Sequence, residues 1–171
     1  MTPDARSLRV VFTKLQADFT SGRSEPDGLI CKHGHYLDSE VLKLQKASWT
    51  NDRMDRTENT SGVFFSVWVE EARADRLNYN IHAFKLRHLK GYTITSRDFA
   101  DTFRAAFKPQ QDTWPKVRTD YGPLTLMQGW IAIDPRTVEQ DVRALLNRFA
   151  RNVGPIVDRL LDQRRRRPVR V

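Results

Sequence analysis

Cys31, His33 and His35, in the stretch CKHGHYLDSEVLK of residues 31 to 43, are three ligand-type side chains at alternate positions. On an extended strand they share a face, with neighbours about 6.6 Å apart and the outer pair about 13 Å, so one ion cannot take all three from a straight chain. His33 and His35 could serve as a pair, with Asp38 or a distant histidine completing the roughly four ligands that zinc requires. No closed ligand set with diagnostic spacing is present. The segment therefore reads as a polar strand end or a turn, and no metal is expected.

A second group lies in NYNIHAFKLRH, residues 78 to 88. Strand alternation places Asn80, His82, Phe84, Leu86 and His88 on one face, and Tyr79, Ile81, Ala83, Lys85 and Arg87 on the other. Asn80 and His82 then put polar groups on a face that otherwise looks apolar. That suits a pocket floor with His82 as general base, and equally a histidine held by a backbone hydrogen bond at the edge of a core. No nucleophile is marked, because Ser66 sits in no G-x-S-x-G elbow and Cys31 lacks the signatures of thiol enzymes. The glycines form no phosphate-binding loop, so no cofactor is expected.

Recognition chemistry is densest in KPQQDTWPKVRTDYGP, residues 108 to 123, where Trp114 and Tyr121 stand beside Lys116 and Arg118. Rings for stacking mixed with cations are what single-strand binders use, although loop aromatics also bury readily. So long a loop in a compact domain is often functional or disordered. The tail RRRRPVRV, residues 164 to 171, adds Arg164, Arg165, Arg166, Arg167 and one more arginine. It holds five of the formal +8 charges and leaves +3 on everything before it. The body is thus only mildly basic. The tail is expected to be a disordered cationic end able to meet phosphates with release of counterions.

These groups need a scaffold, and 171 residues suit one compact domain, expected over residues 1–163. With a single cysteine there is no intramolecular disulfide, and MTPDARSLRVVF lacks the apolar core of a signal peptide, so a cytoplasmic setting is expected. The longest apolar run, VFFSVWV, falls well short of the roughly 20 residues of a membrane helix. The sequon Asn59-Thr60-Ser61 is then expected to be inert.

Leu8, Val11, Phe12, Leu15 and Phe19 recur at helical spacing over residues 4 to 19. Strand patterns follow near 29–33, 41–50, 63–70 and 77–89, joined by polar segments that suit an antiparallel meander. The third, Val63 to Val69, is apolar at nearly every position and is expected to be covered on both faces, by helices or a partner subunit. Phe99, Phe103 and Phe107 form a ridge on a helix capped at Thr95 or Ser96 and ended by Pro109. A strand at 124–133 precedes a long helix that Gly154-Pro155 should kink or interrupt. The expected fold is α+β: an antiparallel-rich sheet of four to five strands, with an N-terminal helix, a middle helix and a long C-terminal helix packed on it.

This element order resembles that of the PD-(D/E)XK nuclease superfamily, and Pro26-Asp27, Glu40 and Lys43 resemble its motif in residue type. The resemblance implies a metal-dependent nuclease. The spacing departs from it: Glu40 and Lys43 are three positions apart and point to opposite faces of a strand. Glu71-Ala72-Arg73 has the right spacing, but arginine is no base. The functional reading is a non-enzymatic module whose tail and 108–123 loop contact a polyanion, nucleic acid first. The alternatives are a metal-dependent hydrolase or degenerate nuclease using some of Asp27, Glu40, Glu71 and His82, and a homo-oligomeric interaction protein, such as a homodimer.

Overall fold

The computed structural model describes residues 3–21, 28–52 and 61–167; Asp27, Asn59 and Thr60 lie outside them. Asp4 caps the first helix, α1 (Ala5–Ser21), its carboxylate accepting the Ser7 N–H at 2.7 Å. Leu8, Phe12 and Leu15 on that helix are buried. Strands β1 (Ile30–Tyr36) and β2 (Ser39–Gln45) form a hairpin closed by Leu37 and Asp38, both at positive φ (45° and 59°). That two-residue geometry matches the twist of the strands it joins.

Strands β3 (Gly62–Glu70) and β4 (Arg76–Phe84) continue the meander. Helix α2 (Ser96–Gln111) then returns the chain so that β5 (Thr125–Ala132) pairs with β4. Among the described residues the sheet has five strands in the order β1-β2-β3-β4-β5, each antiparallel to its neighbour. Helices α3 (Val138–Arg148) and α4 (Gly154–Asp162) complete an α+β domain of the expected class. No described helix is long and apolar enough to cross a membrane.

Strand alternation sorts the sheet into two faces. Val63, Phe65, Val67 and Val69 point into one core with Leu77, Tyr79, Ile81 and Ala83, and with apolar residues of all four helices. Phe65 stacks on Phe149 with ring centroids 4.3 Å apart. Cover on both faces, expected from the apolar run of β3, is not what the described helices provide. Phe64, Ser66 and Trp68 line a cavity on the helix-free face instead. Their partners on β4 are polar: His82 stands opposite Phe64, Asn80 opposite Ser66 and Asn78 opposite Trp68. A strand needs helices on both sides only when the whole layer around it is apolar.

Several boundaries differ from the sequence pattern. Pro109 lies inside α2, which continues to Gln111. A proline in the last turn removes one donor and the helix survives there. Strand β4 stops at Phe84 because Lys85 turns into the left-handed region (φ 49°). Between α3 and α4 the chain widens over Phe149–Val153, and the Gly154 N–H reaches back five residues to the Phe149 carbonyl. Pro155, with no N–H and a ring that would strike the preceding turn, accounts for the opening.

The first residues of the basic segment are fastened to the domain. Arg164 Nε donates to Asp98 at 2.9 Å and its Nη2 to Thr102 at 3.0 Å, which ties the end of α4 to the start of α2. Thr93 N–H donates to the Arg164 carbonyl and Arg166 N–H to the Gly91 carbonyl. Residues 168–171 lie outside the described residues.

Candidate functional site

His33 and His35 converge on a carboxylate that the sequence pattern did not single out as their partner. Glu40 faces His35 across the hairpin. It accepts from Arg9 Nε at 2.6 Å, and its oxygens lie 2.8 Å from His33 Nε2 and 3.0 Å from His35 Nδ1. Only 2% of Glu40 is exposed. Burial opposes its ionisation, but the bonds from Arg9, His33 and His35 outweigh that and hold its pKa below the ordinary glutamate value. Cys31 lies in the core, where burial pushes its thiol up to about 12. Among the described residues no group of three or more acidic, histidine or cysteine side chains could hold a metal ion. With the Arg9 guanidinium on its carboxylate, this cluster is an ion-pair network tying α1 to the hairpin.

Residues 108–111, expected in the loop, belong to α2, and the loop that follows is positioned from below. Trp114 is 2% exposed, its Nε1 donating to Gln110 at 3.0 Å and its ring meeting Tyr79 and Phe107. It anchors the loop in the core and offers no stacking face. Tyr79 donates its hydroxyl to the Pro115 carbonyl at 2.7 Å. That approach needs Gly129, since a Cβ there would lie 2.3 Å from the Tyr79 oxygen. Arg118 and Gln128 then exchange backbone hydrogen bonds of 2.8 and 3.0 Å, laying the loop along the outer edge of β5. From α2, Arg104 donates to the carbonyls of Tyr121, Gly122, Thr125 and Leu126 and so fixes the far end of the loop.

What this scaffold presents is a pocket of about 320 Å³, lined among others by Arg73, Arg76, Lys116, Arg118, Tyr121 and Trp130. The Arg76 guanidinium lies 3.9 Å and the Lys116 ammonium 4.9 Å from the Trp130 ring centroid. Such approaches combine charge with a flat apolar surface. Lys116 reaches this place from the left-handed region (φ 48°). Arg118 forms a two-pronged pair with Asp120 and lies over Tyr121, 5.7 Å from the ring centroid. Among the described lining residues Glu70 is the single carboxylate against four cations.

Three of the four loop residues singled out from sequence, Lys116, Arg118 and Tyr121, therefore meet, and Trp114 does not join them. Arg73, Arg76 and Trp130 were missed. They come from the β3–β4 connection and from β4 and β5, remote from the loop in sequence. Strand alternation carried the signal for Trp130, because Gln128 and Trp130 share the face opposite Met127 and Ile131. Arg164, Arg165, Arg166 and Arg167 line neither this pocket nor the cavity beside it. Arg165 is paired with Asp162 at 2.8 Å.

The described residues of the hydrolase alternative, Glu40, Glu71 and His82, do not all gather in one place. Glu40 is on the helix side of the sheet, while Glu71 and His82 line the cavity on the other face. Asp27 is outside the described residues. Glu40 and Lys43 point to opposite faces, as their spacing demands, so the nuclease motif is not assembled on this strand. Asn80 and His82 do meet: the Asn80 amide lies 2.9 Å from His82 Nε2, and of the two His82 lines the cavity. No protein-family model, curated protein or solved structure matches this chain.

Proposed function

We propose that the protein binds single-stranded nucleic acid at the pocket between the 115–121 loop and the β4–β5 end of the sheet. One observation carries the reading: four cationic side chains, Arg118 among them paired with Asp120, and two aromatic rings line one small pocket in which Glu70 is the one acid among the described lining residues. Arginine offers paired N–H donors to phosphate oxygens, and Tyr121 and Trp130 offer rings on which bases can stack where Arg118, Arg76 and Lys116 turn from those rings to the phosphates. Asn78 and Gln128, also in the lining, can donate and accept toward base edges. Stacking is tolerant of base identity, so the expected binding is weakly sequence-selective and strongly salt-dependent.

Arg164, Arg165 and Arg166 play a different part, because their described contacts are spent on α2, on Asp162 and on residues 91–93. The pocket, not the tail, is the proposed contact. Fluorescence anisotropy with a labelled single-stranded oligonucleotide across a salt series tests this. Arg76→Ala and Lys116→Ala should each weaken binding about three- to tenfold and reduce the log–log salt slope by about 0.7 for each phosphate no longer neutralised. Arg167→Ala should change neither. Loss confined to the Arg167 variant, or no salt-dependent binding by the intact chain, removes the reading.

A further inference from the structure

Beside the cationic pocket, sharing only Glu70 with it, the helix-free face of β2, β3 and β4 holds a larger cavity of about 750 Å³. That lies within the range of small-molecule sites. Its walls are Val41, Phe64, Trp68 and Phe84, and the Tyr36-Leu37 tip of the first hairpin stands at its rim. Tyr36 and Leu37 are 50% and 78% exposed, so apolar surface continues from the wall to the mouth.

The hairpin end of this cavity is acidic. Asp38, Glu70 and Glu71 all line it. Ser39 stands opposite Glu70 across the β2–β3 pairing, and the Glu71 N–H donates to the Asp38 carbonyl at 2.9 Å, which sets the turn beside the end of β3. Among the described residues none of the three carboxylates takes part in an ion pair. Glu70 accepts from the Trp68 Nε1–H at 3.4 Å, and Arg73 and Arg76, which share the neighbouring pocket with it, make no ion pair with it. Charges of one sign on a concave, low-dielectric wall concentrate counter-ions there. Ser39 is a second, separate sign of an occupant. It lines the same end, is 8% exposed, and its hydroxyl has no hydrogen-bond partner among the described residues. A polar group buried to this degree normally has a partner, and an occupant of the cavity would supply it.

Lys43, the cation in the lining, does not cancel this charge. It lies four residues along β2 from Ser39, about 13 Å away on an extended strand. It also has interactions of its own, with the Phe64 ring at 5.8 Å from the centroid and with the charge of Asp52. His82 is engaged as well, by Asn80 and by the Leu124 carbonyl. What faces a ligand is therefore an acceptor-rich, negatively charged end that opens onto Val41 and Trp68, a cross-strand pair of the β2–β3 register. A primary ammonium brings three N–H donors and one positive charge to such acceptors, and the face of an indole attracts the same cation. We propose that this cavity binds a small primary amine with an aromatic body, its ammonium held among the Asp38, Glu70 and Glu71 carboxylates and the Ser39 hydroxyl and its body lying on Val41 and Trp68.

Titration of the full chain at neutral pH with phenethylamine, with phenethyl alcohol as the uncharged counterpart and hydrocinnamate as the anion, tests the assignment. In two-dimensional NMR the Trp68 indole N–H should shift saturably with the amine, while those of Trp49 and Trp114, both buried in the core, stay in place. The amine should bind at least about tenfold more tightly than the alcohol, and the acid more weakly than either. Asp38→Asn, which suits the left-handed turn as well as aspartate does, should reduce the preference for the amine at least about threefold and leave the alcohol unchanged. Glu71→Gln should act in the same direction, and Lys116→Ala, in the other pocket, should change nothing. No saturable shift of the Trp68 signal, equal affinity for amine and alcohol, or an undiminished preference in folded chains of both carboxylate variants overturns the proposal. The wild-type comparison of amine with alcohol decides the matter even if neither variant folds.

Discussion

Glu40 concentrates more electrostatic consequence than any other described side chain. Three nitrogen groups from α1 and β1 bracket one buried carboxylate, so neutralising it removes the negative charge and one of the two acceptor oxygens that Arg9, His33 and His35 share. Glu40→Gln is expected to cost about 2 kcal/mol at neutral pH, measured as a lowered urea midpoint with unchanged slope. The sign with pH follows from the direction of the shift. The folded carboxyl titrates below its unfolded value, so its contribution is whole above the ordinary glutamate range and is lost as pH falls through the folded pKa. The wild type should therefore lose stability over that acidic range more steeply than the Gln variant. Parallel curves for the two would show that the carboxylate is not held as described.

At the scale of elements, the end of α4 is clamped to the start of α2 by Arg164, which also returns a hydrogen bond to the Leu160 carbonyl at 3.0 Å. Its side chain is 13% exposed, whereas its partner Asp98 is 60% exposed. Arg164→Ala should destabilise the domain by about 1–2 kcal/mol through missing hydrogen bonds and packing. Arg167→Ala should leave the thermal midpoint unchanged, which separates structural arginines from solvated ones by a single measurement. The run RRRR could not reveal this division. Identical side chains gave no hint that Thr93 and Gly91 would pair with the backbone of two of them. The strands were more readable, because their alternation survives in composition. The Leu37-Asp38 turn was not, since neither residue is the glycine or asparagine that such a turn usually advertises.

Over the whole molecule, helices occupy one side of the sheet and both candidate sites occupy the other. The sequence foretold the class of fold and three residues of the cationic pocket, those clustered in one loop. It did not group Arg73, Arg76 and Trp130 with that loop, although it did place His82 and Phe84 on one face suited to a pocket floor, because such sites are assembled by strand register and not by proximity along the chain. The described helices cover only one face of β3, and the polar residues opposite its other face lie on its neighbour β4. Glu70 stands between the two sites and lines each. Removing its charge should favour anions at the cationic pocket, so Glu70→Gln is expected to tighten oligonucleotide binding about two- to fivefold at low salt, by anisotropy. The glutamine keeps an acceptor for the Trp68 Nε1–H, 3.4 Å away in the wild type. A weaker complex would mean that Glu70 helps to shape the pocket more than it repels.

The widened turn at Phe149–Val153 is in effect one surplus residue threaded into a helix. Winding the same residues as a regular helix, with none removed, would swing everything downstream by about 100° around the axis. Ile156, Val157, Leu160 and Leu161 would leave the interior together, and Arg164 would lose its line to Asp98. The irregularity is thus a phase corrector: it lets one continuous rod present its greasy side to the sheet along its full length, and a tidier helix would make a worse protein.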